Sequence, residues 1–138
     1  MRRGLTPEDL GDLLTLPLVA VLATHRPDGQ ILLSPLWQEW RDGGFTMISM
    51  EDDVKVRHLR ADPRASIVLF ESVPPYRGIE VRGEAVLSTQ EASAVGRRIA
   101  SRYEEEDDPG EDFEPGRSVL IRLEPGTLRA WDYADEWV

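Results

Sequence analysis

The sequence predicts a mainly β fold, in which about six antiparallel strands close into a small barrel with three short helices around it. Three observations predict it. Apolar segments of strand length follow one another with short proline- or glycine-bearing turns between them, the pattern of antiparallel neighbours. Residues 78–88, GIEVRGEAVLS, alternate apolar and polar positions, as a sheet with one buried face requires. A chain of 138 residues that is 41% hydrophobic suits a single domain spanning residues 1–138, and closing its sheet would remove exposed edges.

Each element follows from local chemistry. Thr6, Pro7 and Asp9 read as N-cap, first-turn proline and capping-box acid of a short helix that runs to about Leu16, where Pro17 ends it. Residues 18–24, LVAVLAT, are a nearly continuous apolar run with valines and read as a buried strand. Arg26, Pro27, Asp28 and Gly29 place proline and glycine where a type I turn wants them, so residues 30–40 return as a second, antiparallel strand. In its last residues Leu36, Gln38 and Trp40 share one face, and Trp37 and Glu39 the other. A tight turn at residues 41–44 leads into the strand FTMISM, residues 45–50. Val56 and Leu59 have the spacing of a helix over residues 52–61, which Pro63 stops before a strand at residues 65–70. Pro74 and Pro75 break the next connection, and Gly83 marks a bulge or a close backbone approach in the alternating strand after it. Thr89 then reads as the cap of a helix through about Tyr103, in which Ala92, Val95 and Ile99 form an apolar stripe. Residues 118–123 and 127–133 supply the last two strands around Pro125 and Gly126.

The formal net charge of −10 is a local property. Residues 104–114 hold eight acids and no base, so the rest of the chain carries only −2. Such a run, interrupted by Pro109 and Gly110, reads as a solvated connection, with a lid or a partner-binding tail as the alternative. Nucleic-acid binding is not expected, because no basic stripe with interleaved aromatics occurs. The absence of cysteine excludes disulfides, thiolate metal sites and a cysteine nucleophile, and is compatible with a reducing cytoplasm. No apolar run approaches the ~20 residues that span a bilayer. Acids at Glu8, Asp9 and Asp12 fall where a signal peptide needs its apolar core, so a cytoplasmic location without a membrane partner is expected.

The chain has no glycine-rich phosphate loop, no nucleophile elbow and no paired-histidine metal motif. His25 reads as a turn residue and His58 as a helix-surface residue. What remains is a protein that takes its chemistry from a cofactor, or one that only binds. Lys55 is the only lysine, and Arg57, His58, Arg60 and Arg64 follow it closely. An ammonium at a helix start is a candidate anion site. The same residues also suit a solvated helix face with pairs such as Asp53 and Arg57. The second candidate is Ser34, Pro35, Leu36 and Trp37. A proline inside an apolar strand donates no ladder hydrogen bond, so it belongs on an edge or at a bulge, facing either a flat ring or a core or dimer contact.

Three segments in order, LATHRPDGQILLSPLWQEW, FTMISMEDDVKVRHLRADPRASIVL and PPYRGIEVRGEAVL, resemble the pyridoxamine 5'-phosphate oxidase-like flavin-binding split barrels. Within them the chain is most similar to the short actinobacterial flavin/deazaflavin oxidoreductases, over residues 18–87 and more weakly to the end. The resemblance implies a six-stranded antiparallel split β-barrel of Greek-key type. It also implies a homodimer that binds FMN or the deazaflavin F420 in a groove at the subunit interface. By the same resemblance Ser34, Pro35, Leu36 and Trp37 lie along the ring, Ile48 and Ser49 contact the ring or its side chain, and Lys55, with Arg57 in a lesser part, binds the phosphate. Glu51, Asp52 and Asp53 depart from the family, which often has glycine, serine or arginine there. A carboxylate so near a phosphate would repel it by about 1 kcal/mol per pair even at water-like screening, unless these acids face solvent with Asp52 or Asp53 capping the helix. His58 replaces a common asparagine, and the carboxy-terminal arginine–histidine motif of true pyridoxamine phosphate oxidases is absent, so vitamin B6 oxidation is not expected. The expected function is hydride transfer between bound F420 or FMN and a small conjugated acceptor. The alternative is a non-catalytic dimer that binds flavin or haem, or a split barrel that has lost its cofactor.

Overall fold

The computed structural model describes residues 1–104 and 117–136. Its strands are β1 (Ala20–His25), β2 (Ile31–Leu36), β3 (Glu39–Arg41), β4 (Gly44–Met50), β5 (Arg64–Phe70), β6 (Gly78–Ser88), β7 (Ser118–Leu123) and β8 (Thr127–Trp131). Helix α1 (Val54–Ala61) lies between β4 and β5, and α2 (Ala92–Ala100) follows β6. All pairings are antiparallel, in the order β2-β1-β5-β6-β7-β4-β3, with β8 added to β6. The architecture is therefore a curled antiparallel sheet, a half-barrel with two helices.

Two expectations are corrected. Among the described residues the strand count is eight rather than six, in part because the long second strand breaks after Leu36. Its first part pairs with β1 and its second with β4. At the break the Gln38 backbone N–H donates to the Tyr103 hydroxyl, 3.0 Å away, so this peptide leaves the ladder for a partner 65 residues along the chain. The sheet also curls without full closure, and among the described residues β2 pairs only with β1, β3 only with β4 and β8 only with β6.

The helices differ in detail from expectation. The Thr6 and Asp9 capping box forms, but it opens a short 3-10 turn (Pro7–Leu10) that a second one (Leu13–Thr15) follows after Gly11 at φ +62°. Thr89 is not the cap of α2: Glu91 holds that position, and the carbonyl of Thr89 accepts from Ala92 N–H. Tyr103 lies in the turn beyond the helix. The turn at Arg26 closes as the sequence predicts, with Gly29 N–H donating to the Arg26 carbonyl at 3.0 Å. Of the acidic stretch, residues 105–114 lie outside the described residues.

The core fills the inner face of the curl with Leu22 from β1, Ile67 and Leu69 from β5, Ile79 and Val81 from β6, Phe45 and Met47 from β4, and Ile121 and Leu123 from β7. Strand β6 joins the two halves of the sheet. Its first residues pair with β5 and β8, and Ala85 to Ser88 pair with β7. The handover occurs at Gly83, where a Cβ would lie 2.4 Å from the Glu124 carbonyl oxygen, so the expected close backbone approach is real.

Candidate functional site

Strand β2 has two unlike rows. Ile31, Leu33 and Pro35 form an exposed apolar outer row, with Leu33 64% exposed. Leu32, Ser34 and Leu36 form a half-buried inner row opposite Thr24, Leu22 and Ala20 of β1. Pro35 thus lies on an edge strand, the place where its missing N–H costs no ladder bond. Trp37 follows the strand end and stacks on Tyr103, with centroids 4.8 Å apart and planes 9° from parallel. One face of Trp37 is therefore covered from within the chain.

Tyr103 anchors this corner. Its hydroxyl donates to the Leu18 carbonyl at 2.7 Å and accepts from Gln38 N–H, and burial pushes its pKa up. Arg102 beside it donates to the carbonyls of Gln38 and Leu16. The turn that follows α2 thereby fixes where β2 stops.

The second group forms where β4 meets α1. Ile48 and Ser49 sit next to each other near the end of β4, Ile48 half-buried and Ser49 buried. Ser49 Oγ donates to Asp53 Oδ2 at 2.9 Å, and Lys55 Nζ donates to the same oxygen at 2.6 Å. The Lys55 side chain is only 14% exposed. Asp53 occupies the N-cap position of α1, yet its side chain makes no cap hydrogen bond. The expected capping role is thus replaced by a link between strand end and lysine, and Asp53 takes Lys55 as its partner rather than Arg57. Burial pushes the Asp53 carboxyl up, but the bonds from Lys55 and Ser49 outweigh it and hold the group below its ordinary value. Glu51 pairs at the surface with Arg60 at 2.6 Å, and Asp52 and Arg57 are exposed.

A contact between Thr24 of β1 and His58 of α1 ties the two groups together, Oγ1 to Nδ1 at 3.1 Å. Through His58, α1 therefore packs on the face of the sheet that carries the inner row of β2, since Thr24 lies opposite Leu32. Sequence reasoning singled out Ser34, Pro35, Leu36, Trp37, Ile48, Ser49, Lys55 and Arg57. It missed Thr24 and the anchoring role of Tyr103. A threonine inside an otherwise apolar strand and a tyrosine at the end of a helical stripe were the available signals.

On the other side of the sheet, a groove of about 500 Å³ is lined by Val21, Ala23, Leu33, Ser66 and Val68, with Glu80 and Arg82 of β6 alongside and His25 and Arg64 beyond Ala23 and Ser66. Phe70 and Val19, both about half exposed, extend its apolar surround. Among the described residues, no group of three histidine or acidic side chains is placed to hold a metal ion, and no helix is long and apolar enough to cross a membrane.

This arrangement of strands has relatives among solved structures. A conserved hypothetical protein of Mycobacterium tuberculosis superimposes with a TM-score of 0.77 at 26% identity, over 97% of this chain and 89% of its own. A structure described as an F420 reductase does so with a TM-score of 0.75 at 28% identity, over 89% of this chain and 98% of its own. A FAD-binding protein of Mesorhizobium loti shares the fold with a TM-score of 0.70 at 22% identity, over 94% of this chain and 97% of its own. No curated protein matches the sequence. The family described as pyridoxamine 5'-phosphate oxidase matches residues 6–132, which includes every described strand and both described α-helices; the chain belongs to that family.

Proposed function

We propose that this protein is an oxidoreductase that binds F420 or FMN between strand β2 and the β4–α1 corner and moves a hydride between that ring and a small conjugated acceptor. The observation that carries this reading is the pairing of a half-buried row on an edge strand with one shielded lysine at a helix start, linked through Thr24 and His58. The likeness to the F420 reductase supports it.

The residues present fit the ring. Among the described residues strand β2 offers backbone groups along an unpaired edge, with Ser34 half-buried behind it and Leu36 packed on the core. Trp37, held by Tyr103, closes one end of that edge. The fit to a phosphate is partial, because the Lys55 ammonium already serves Asp53. When bound, the ring supplies the hydride chemistry. The chain's own work is to fix the ring through β2, Ile48 and Ser49, to hold the charged tail near Lys55 and Arg57, and to exclude water from one ring face. No side chain is required as acid or base.

The family resemblance implies a homodimer, and we assign its contact to the outer row of β2 with the neighbouring apolar positions of β1 and β5. Exposed Ile31, Leu33, Val19 and Phe70 form an apolar face suited to a second copy. A second reading, a dimer that binds a flat ligand without catalysis or has lost its ligand, is favoured by Asp53 on Lys55.

Titration of the purified protein with F420 and with FMN, followed by visible absorbance and fluorescence, tests the proposal. Micromolar binding of at least one is expected, and failure of both would exclude the enzyme reading. Lys55→Ala is expected to weaken binding about tenfold while the melting temperature stays within a few degrees, and unchanged affinity would remove Lys55 from the site.

A further inference from the structure

We infer that Asp53 sets how the site responds to cofactor charge: by neutralising Lys55, it removes the advantage that the doubly charged phosphate monoester of FMN would otherwise hold over a singly charged phosphodiester, as in F420. The inference rests on the proposed cofactor reading and states how the phosphate end of that site treats its two ligands.

The geometry leaves little freedom. Lys55 and Ser49 donate to the same carboxylate oxygen of Asp53, at 2.6 and 2.9 Å, so the carboxylate is held from the strand and from the helix at once. It is two residues from a lysine whose side chain is only 14% exposed, and an anion reaching that lysine meets the carboxylate as well. The surrounding charges do not offset it. Glu51 and Arg60 form their own pair, and Asp52 and Arg57, of opposite charge, are both exposed. Lys55 and Asp53 together are therefore near neutral toward an incoming ligand.

A phosphate monoester carries ~1.5 to 2 negative charges at neutral pH, because its second proton leaves near pH 6. A phosphodiester carries one. Repulsion from a fixed neighbouring carboxylate scales with that charge, so Asp53 penalises a monoester about twice as much as a diester in free-energy terms. Two of the three Lys55 ammonium hydrogens remain for the ligand, enough for one singly charged oxygen pair.

Affinities of FMN, F420 and riboflavin, which has the ring and no phosphate, for the full chain and for Asp53→Asn decide the matter. The parent is expected to bind FMN within about threefold of riboflavin. Asp53→Asn is expected to tighten FMN about thirtyfold, F420 about fivefold and riboflavin not at all. Asparagine keeps a hydrogen-bonding partner for Ser49 and suits an N-cap, and Asp53→Ser repeats the measurement should the first variant melt early. Equal tightening of FMN and F420, or no tightening of either, overturns the inference and leaves the cofactor reading standing. Parent protein that binds FMN more than tenfold tighter than riboflavin overturns it too. If the parent and both variants bind none of the three, the cofactor reading fails and the inference falls with it.

Discussion

Glu71 shows how much a single side chain carries in this fold. It is buried beside Arg77, which donates to both of its oxygens at 2.6 and 2.9 Å and reaches on to the Leu10 carbonyl and Asp12. The hydrogen bonds from Arg77 outweigh burial and hold the Glu71 carboxyl below its ordinary value. The stability it contributes is therefore complete above the unfolded carboxyl value near pH 4.5 and is lost as pH falls through the depressed folded value. Glu71→Gln is expected to cost about 2 kcal/mol at neutral pH, and the gap to the parent should shrink in urea titrations repeated toward about pH 3. Tyr103 is the second such residue. Tyr103→Phe leaves the buried Gln38 N–H without its acceptor, so a loss of about 1–3 kcal/mol and faster amide exchange at Gln38 are expected. Neither partnership is visible as a motif, because Glu71 and Tyr103 look like a loop acid and a helix-stripe aromatic until the chain folds.

At the scale of elements, local signals were legible and their extents were not. The capping box at Thr6, the turn at Arg26 and the alternation of β6 arise from neighbours in sequence, and each forms in the structure. The 3-10 form of the first helix and the break between β2 and β3 do not, since each depends on what the segment packs against. Strand β6 illustrates a constraint that reads in both. Gly83 stands out in the pattern, and the structure gives the reason in the Glu124 carbonyl 2.4 Å from where a Cβ would lie. Because that neighbour is backbone, Gly83→Ala is expected to lower stability by about 2 kcal/mol, measured as a lower urea midpoint at unchanged slope.

At the scale of the molecule, the incompletely closed sheet leaves an apolar outer face around Leu33, and the proposed dimer covers it. Leu33→Asp is expected to move the protein from dimer to monomer in analytical ultracentrifugation, and a parent that sediments as a monomer at tens of micromolar would refute the assignment. The candidate site divides in the same way as the fold. Ser34, Pro35, Leu36, Trp37 and Lys55 stood out by strand and helix-start chemistry written in neighbouring residues, whereas Ile48, Ser49 and the part given to Arg57 came from the family resemblance of three ordered segments. By itself the sequence determined a mainly β chain, most of its turns and strands, and a single lysine at a helix start after a strand. Only the tertiary structure decided that the sheet stays open, that Trp37 stacks on Tyr103, that Thr24 joins β1 to His58, and that Asp53 answers Lys55 instead of capping its helix. The physical reason is that these outcomes are choices of partner. A buried polar group takes the donor or acceptor that packing brings to it, and packing is settled by the whole chain.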